Sequence, residues 1–132
     1  MRALLDTDVI LDLFLNRQGF VTNAAALWKA NEQGRFEGFV SAITPVNVFY
    51  FTRKVSDLAA ARGVVLTLIA SLQVCGIDSQ VLRDAEALPV KDYEDAIQVA
   101  SAMAAGLDAI VTRNVDDYKN SPLPVSLPSD FL

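Results

Sequence analysis

Acidic residues stand at three places where the sequence pattern changes from strand to helix or turn. Asp6 follows the apolar run "ALL", Asp92 and Asp95 lie in "KDYEDAIQVA", and Asp117 ends "TRNVDD". Asp92 and Asp95 are like charges on one helical face, where they repel unless a cation or another partner intervenes. Carboxylates without histidine or cysteine suit Mg²⁺ or Mn²⁺, and such ions activate water and stabilise phosphodiester transition states. The pattern therefore favours a metal-dependent phosphoryl-transfer site.

Each acidic group also has an explanation that involves no chemistry. Asp6 can cap a helix that begins at Thr7, and acids at 92–95 suit the positive end of a helix dipole. Asn114 and its neighbours Asp116 and Asp117 can form a turn held by side-chain hydrogen bonds. The chemical interpretation therefore depends on whether the fold brings the three groups together.

Composition excludes several kinds of catalytic site. The chain has no histidine, which removes histidine bases, histidine metal ligands and Ser-His-Asp chemistry. With 16 acidic and 11 basic residues the net charge is -5, so an overall basic surface for nucleic acid is lacking. A metal at the acidic groups would reverse the local sign of charge. The single cysteine, Cys75, lies in "LQVCGI" and is expected to be a buried thiol.

Strand-like and helix-like segments alternate along the chain. Strands are predicted at 2–5, 38–43, 72–77, 108–112 and 124–127, and helices at 7–15, from 22 or 23 to 33, 44–55, 56–70, 79–88 and 93–105. This order predicts one α/β domain, residues 1–132, as a three-layer α/β/α sandwich around a parallel sheet of four to five strands. Ligands bind beyond the carboxyl ends of such strands, so the acids are expected to meet there.

The apolar runs are too short to span a membrane, and no signal peptide opens the sequence. We therefore expect a cytoplasmic protein.

Four blocks of the chain form a recognisable series: "LLDTDVILDLFLNR", "SAITPVNVFYFTRK", "KDYEDAIQVASAMAAGLDAIVTRNVDDY" and "VSLPSDFL". Taken in order, they resemble the PIN-domain family, which includes the VapC-like toxin ribonucleases. The resemblance implies a parallel sheet between helices, a homodimer, Mg²⁺ or Mn²⁺, and hydrolysis of RNA. It also makes the toxin of a toxin-antitoxin pair, with an antitoxin protein as partner, an expected role.

The resemblance also assigns residues. Asp6, Asp95 and Asp117 match the family's catalytic acids, and the same three with Asp92 match its metal ligands. Supporting positions fall on Thr7, Asp8, Asn47, Thr112, Asn114 and Asp116. Asp12, six residues after Asp6, faces another side of its helix and is expected to be solvated or to support the site indirectly.

Two positions depart from the family pattern. Asn47 stands where a glutamate is usual; its amide oxygen can bind a metal but carries no charge and cannot act as a base, so metal affinity should fall. Asp8 stands where an asparagine is usual, and it either restores an acid near the site or faces solvent.

Basic residues near the predicted site are candidates for contact with RNA phosphate, foremost Arg113, Arg17 and Lys54. Arg35, Arg53 and Lys119 are further candidates. Tyr50, Phe51 and Tyr118 either stack on bases or belong to the core or a dimer contact.

Other function classes stay open. A PIN-like fold with Asn47 could have lost strong metal binding and serve as an RNA-binding or partner-binding module. The start "LLDTDVIL" is also similar to that of haloacid-dehalogenase-like phosphatases, although the later GDxxxD-type motif is missing. A receiver domain would need a phosphorylatable Asp midway along the chain and a later strand-end Lys, and neither is evident.

Overall fold

Five parallel strands form one sheet in the computed structural model, which describes residues 1–132. They are β1 (Arg2–Leu5), β2 (Glu37–Ser41), β3 (Gln73–Cys75), β4 (Ala109–Val111) and β5 (Val125–Ser126). Their order across the sheet is β3-β2-β1-β4-β5, and every neighbouring pair is parallel. The predicted α/β architecture with a parallel sheet is confirmed.

Seven α-helices and one 3₁₀ turn connect and cover the strands. The helices are α1 (Thr7–Phe14), α2 (Val21–Glu32), α3 (Ile43–Val55), α4 (Leu58–Ser71), α5 (Ser79–Ala87), α6 (Tyr93–Ala104) and α7 (Pro128–Phe131), and the 3₁₀ turn is Val115–Tyr118. No helix is both long enough and apolar enough to cross a membrane.

Two hydrophobic clusters form the core, one on each face of the sheet. Ala3 and Leu5 of β1 point to a cluster that includes side chains from α1 to α4, whereas Leu4 points to a cluster with α5 and α6. Adjacent strand residues point to opposite faces, so the buried positions Ala3 to Leu5 must all be apolar for β1 to be covered on both sides, whereas Arg2 at its start is only partly buried. The run "ALL" before Asp6 is therefore the signature of the central strand. Cys75 is buried in the second cluster, as expected.

The sheet order creates a crevice above β1 and β4. From β1 the chain continues outward to β2, and from β4 it continues in the opposite direction to β5. Adjacent strands whose connections leave in opposite directions open a crevice at their carboxyl ends, where ligands bind. The Asp6 backbone N–H donates to the Val111 carbonyl oxygen at 2.9 Å, which places Asp6 beside Thr112 at this crevice.

Several predicted helix boundaries are corrected. Helix α2 begins at Val21 rather than after a Thr22 or Asn23 cap, and α3 begins at Ile43, which places Thr44 inside the helix. Helix α1 begins at Thr7, and Asp6 occupies its N-cap position. The spacing of Ala96, Val99, Ala100 and Met103 predicts one buried stripe on α6, but Met103 is 45% exposed.

Gly34 and Gly106 end α2 and α6 as predicted. Their φ angles are +72° and +70°, in the left-handed region that glycine enters without a steric penalty.

Candidate active site

Asp6 lies at the N-cap position of α1, but its side chain does not cap the helix. Both carboxylate oxygens are instead held by more distant residues. Gln98 Nε2 donates to Oδ1 at 2.9 Å, and Thr112 Oγ1 donates to Oδ2 at 2.7 Å. The side chain is therefore oriented toward the crevice by residues from α6 and the end of β4, and the explanation of Asp6 as a helix cap is excluded.

Burial makes the charge of Asp6 costly. The residue is 5% exposed, and desolvation raises the pKa of its carboxyl, while the hydrogen bonds from Gln98 and Thr112 act in the opposite direction. Gln98 Nε2 also donates to the Tyr118 hydroxyl at 2.9 Å, whereas its buried Oε1 has no hydrogen-bond partner. Asp6 thus lies in a network of hydrogen-bonded polar side chains in which one buried acceptor, Gln98 Oε1, has no donor.

Asp95 is the second acid of the candidate site, after Asp6. It is partly buried in the first turn of α6, where desolvation and then the charges of Asp6 and Asp92 raise the pKa of its carboxyl to about 7. Asp92 is exposed and caps α6, accepting a hydrogen bond from the Asp95 backbone N–H at 3.0 Å. The cap explanation therefore holds for Asp92, although it leaves the second oxygen of this carboxylate free.

A cleft of about 470 Å³ opens over Asp6 and Asp95. We call it the Asp6 cleft. Its walls come from β1, α1, α3 and α6, and its lining residues are Asp6, Thr7, Asp8, Leu11, Asn47, Tyr50, Phe51, Lys54, Glu94 and Asp95. Lys54 is the one basic residue among them. The cleft combines acids on its floor with aromatic and basic side chains on the α3 wall.

Asp117 lies in a neighbouring cleft. This Asp117 cleft shares only Asp95 with the first, and it is lined by Pro89, Lys91, Asp92, Asp95, Asp116, Asp117, Lys119 and Asn120. Asp117 still adds to the rise in the pKa of Asp95, as the weakest of its causes. The predicted acids are thus divided between two clefts that meet at Asp95, and no three acidic side chains converge as a group that would hold a metal ion.

Glu94 is a cleft residue that the sequence prediction left out of the site. Asn47 Nδ2 donates to Glu94 Oε1 at 2.7 Å, which links α3 to α6 across the Asp6 cleft. Gln98 was also missed, although it follows Glu94 by four positions and Asp95 by three. That spacing places it on the same side of the helix, so the signal was present in "EDAIQ".

The supporting polar residues form a chain behind Asp6. Thr112 Oγ1, which donates to Asp6, accepts a hydrogen bond from the Asn114 backbone N–H at 3.0 Å. Asn114 Nδ2 in turn donates to Asp8 Oδ2 at 2.9 Å. Asp8 therefore lines the Asp6 cleft, with its side chain still 40% exposed. On the other side, the buried Thr7 and Thr44 hydroxyls pair at 2.9 Å and hold α1 against α3.

Asp12 is buried, so of the two expectations for this residue solvation is wrong. It is 2% exposed and accepts from Arg113 Nε at 2.8 Å and from Arg17 Nη1 at 3.3 Å. Arg113 also lies over the Phe20 ring, 4.3 Å from its centroid. A buried carboxylate requires such partners, so the two arginines predicted to bind RNA are already engaged within the fold.

The remaining candidates for nucleic-acid contact differ in exposure. Tyr118 is 2% exposed, which excludes stacking on a base and leaves its expected core role. Tyr50 and Phe51 are exposed at 63% and 41% beside Lys54 in the Asp6 cleft. The accessible cationic and aromatic groups of the cleft are therefore concentrated on α3.

The donor chemistry of the Asp6 cleft fits a divalent cation. All its candidate ligands are oxygens, the kind that Mg²⁺ and Mn²⁺ prefer. Burial raises the pKa values of the Asp6, Glu94 and Asp95 carboxyls, and the charges of neighbouring acids raise them further. The unpaired Gln98 Oε1 adds another electron-rich atom beside them. A bound cation would reverse this repulsion.

A family model described as the PIN domain matches residues 2–116. No curated protein matches the chain significantly. A toxin-antitoxin complex from Klebsiella pneumoniae has a similar chain, with 26% identity, coverage of 96% of this chain and 97% of that one, and a TM-score of 0.71.

Two further solved structures share the fold at lower identity. DNA-bound VapBC from Salmonella typhimurium has 20% identity, coverage of 97% and 98%, and a TM-score of 0.75. VapC20 from Mycobacterium tuberculosis, described as a Sarcin-Ricin loop cleaving toxin, has 13% identity, coverage of 82% and 86%, and a TM-score of 0.67. Because the family model spans most of the chain and the parallel sheet agrees with it, this protein belongs to the PIN-domain family.

Proposed function

We propose that this protein is a metal-dependent endoribonuclease whose active site is the Asp6 cleft. The observation that carries the proposal is the pairing of Asp6 and Asp95 at the carboxyl edge of a PIN-domain sheet, on the floor of an open cleft. We assign metal binding to these two residues, with Asp92 and Asp117 as further ligands from the adjoining cleft. A Mg²⁺ or Mn²⁺ ion held there would supply activation of water and charge neutralisation at the phosphate.

The chain's own residues would orient the reaction. Gln98 and Thr112 hold Asp6 with one hydrogen bond on each oxygen, so its carboxylate is positioned before any ligand arrives. Preorganised groups of this kind need no rearrangement during the reaction. On the α3 wall, Lys54 is placed to contact a backbone phosphate, and Tyr50 and Phe51 are exposed for stacking on unpaired bases.

The cleft favours a single strand over a duplex. Its cationic group is one lysine and its aromatic groups lie together on one wall, whereas binding of duplex RNA relies on contacts to phosphates and 2′-hydroxyls across successive grooves. We therefore propose unpaired segments of RNA as the substrate.

One partner assignment follows from a solved structure and another from the protein surface. The Klebsiella pneumoniae structure is a toxin-antitoxin complex, so we propose that this chain is the toxin of such a pair and binds an antitoxin protein. A homodimer is proposed as well. Exposed apolar residues on α3 and α4, among them Val46, Val55 and Leu66, support a protein contact there.

Cleavage of a mixed single-stranded RNA pool tests the activity. Purified protein with Mn²⁺ or Mg²⁺ should cut the pool, chelator should stop cleavage, and Asp6→Asn and Asp95→Asn should each remove it. Binding of RNA without cleavage would favour the second candidate, a module weakened by the Asn47 substitution. Hydrolysis of a simple phosphate ester alone would instead indicate a phosphatase.

A further inference from the structure

Asn47 and Glu94 form a pair across the Asp6 cleft. Asn47 is on α3 and Glu94 is in the first turn of α6, and the 2.7 Å hydrogen bond from Nδ2 to Oε1 joins them. This bond turns the amide nitrogen of Asn47 toward the carboxylate, whereas Glu94 Oε2 makes no hydrogen bond. The pair therefore offers the cleft a free carboxylate oxygen from α6.

Glu94 faces the same cleft as the other acids. It lines the Asp6 cleft together with Asp6, Asp8 and Asp95. The cleft thus contains four carboxylates, of which Glu94 is the one that is bonded to Asn47 on the opposite wall.

We propose that Glu94 supplies the metal-binding carboxylate that Asn47 cannot, with Asn47 acting as the positioning residue that orients it. This inference rests on the proposed function. In the family pattern this acid is a glutamate at position 47 on α3, whereas here it is Glu94 on α6, across the same cleft. The number of carboxylates that face the metal is therefore unchanged although residue 47 carries no charge. The proposed ligands in the cleft are then Asp6, Glu94 and Asp95. Because no three acidic side chains converge as they stand, these three must move together when the ion binds.

Titration of the purified protein with Mn²⁺, measured by calorimetry, tests this assignment without depending on catalysis. Glu94→Gln removes the charge and keeps the shape, and it should weaken Mn²⁺ binding by about tenfold or more. The matched control is Glu86→Gln, which changes an exposed glutamate on α5 outside both clefts and should bind Mn²⁺ like the wild type.

A reversed pair gives a second test. The double variant Asn47→Glu/Glu94→Gln places the carboxylate on α3 and the amide on α6, and one amide-to-carboxylate hydrogen bond can still form. We expect Mn²⁺ affinity to return to within about threefold of the wild type, well above that of Glu94→Gln. Thermal unfolding by circular dichroism with chelator present identifies any variant that is not folded.

The outcomes separate this inference from the proposed function. If Asp6→Asn abolishes Mn²⁺ binding but Glu94→Gln matches Glu86→Gln, the role of Glu94 is overturned and the metal site stands. If the reversed pair binds Mn²⁺ as weakly as Glu94→Gln does, the inference that the metal-binding carboxylate can be supplied from either helix is overturned. If the wild type does not bind Mn²⁺, or Asp6→Asn binds it unchanged, both proposals fail.

Discussion

Replacing Asp95 by asparagine is expected to stabilise the metal-free protein while removing its metal-dependent activity. Burial, the charge of Asp6 and the charge of Asp92 raise the pKa of this carboxyl from 3.8 to about 7. The folded protein therefore holds a proton at Asp95 over a pH range in which the unfolded chain has released it. Stability falls as pH rises wherever the folded state binds more protons, so this contribution declines between about pH 4 and pH 7.

The size of the effect follows from the raised pKa. Between pH 5 and pH 8 the carboxyl lowers the free energy of unfolding by at most about 3 kcal/mol, and partial exposure makes about 1 to 3 kcal/mol the expected range. Asparagine has nearly the same shape and does not titrate. The stability advantage of Asp95→Asn over the wild type should therefore grow by that amount from pH 5 to pH 8.

Urea denaturation in the presence of chelator measures this difference. Wild type and Asp95→Asn are unfolded at pH 5 and pH 8, with Asp116→Asn as a control for an exposed acid near the site. The reasoning is refuted if the difference between wild type and Asp95→Asn does not change with pH. It is also refuted if Asp95→Asn is the less stable protein at pH 8.

Three further predictions concern the fold and the cleft. Asp12→Ala leaves Arg113 and Arg17 without their buried partner and should lower the free energy of unfolding by about 3 to 5 kcal/mol. A loss below about 1 kcal/mol in urea denaturation would show that the ion pairs of Asp12 do not stabilise the fold. Leu4→Ala at a fully buried position of the central strand should cost about 2 to 5 kcal/mol in the same assay, and a smaller loss would mean that the core closes around the cavity. Lys54→Ala should weaken binding of single-stranded RNA severalfold and reduce the salt slope of log K by about 0.7. The control Lys29→Ala, at an exposed position of α2, should change neither quantity. Equal effects of the two substitutions would argue against a contact at Lys54.

Local sequence pattern accounts well for the scaffold. The predicted strand at 2–5 is correct for β1, because its buried residues Ala3 to Leu5 form a continuous apolar run that is covered on both faces of the sheet. Asp57 and Asp78 precede α4 and α5 and accept backbone N–H bonds there, so these starts follow from side chains acting within three residues. The start of α2 was missed because Phe20 in the N-cap position makes no side-chain cap.

The candidate site was predicted less completely, for a reason that particular residues make clear. Asp6 and Asp95 were recognised because each lies next to a predicted strand end or helix start. The partners of Asp6 could not be inferred in the same way, since Gln98 and Thr112 lie 92 and 106 positions further along the chain. Solvation of Asp12, one of two expectations for it, is wrong because helical periodicity gives the direction of a side chain but not what packs against that direction.

The sequence by itself determined the parallel α/β architecture and the edge of the sheet at which the acids lie. Both follow from short-range patterns: apolar strands, helix caps, and the position of the acids after a strand or at the start of a helix. Only the tertiary structure decided which acids share a cleft, that Arg113 and Arg17 hold Asp12, and that Glu94 faces Asn47. Those relations depend on how far α3 and α6 are rotated and how closely they pack over the strand ends. That packing is the sum of many contacts distant in sequence, and no short stretch of sequence records it.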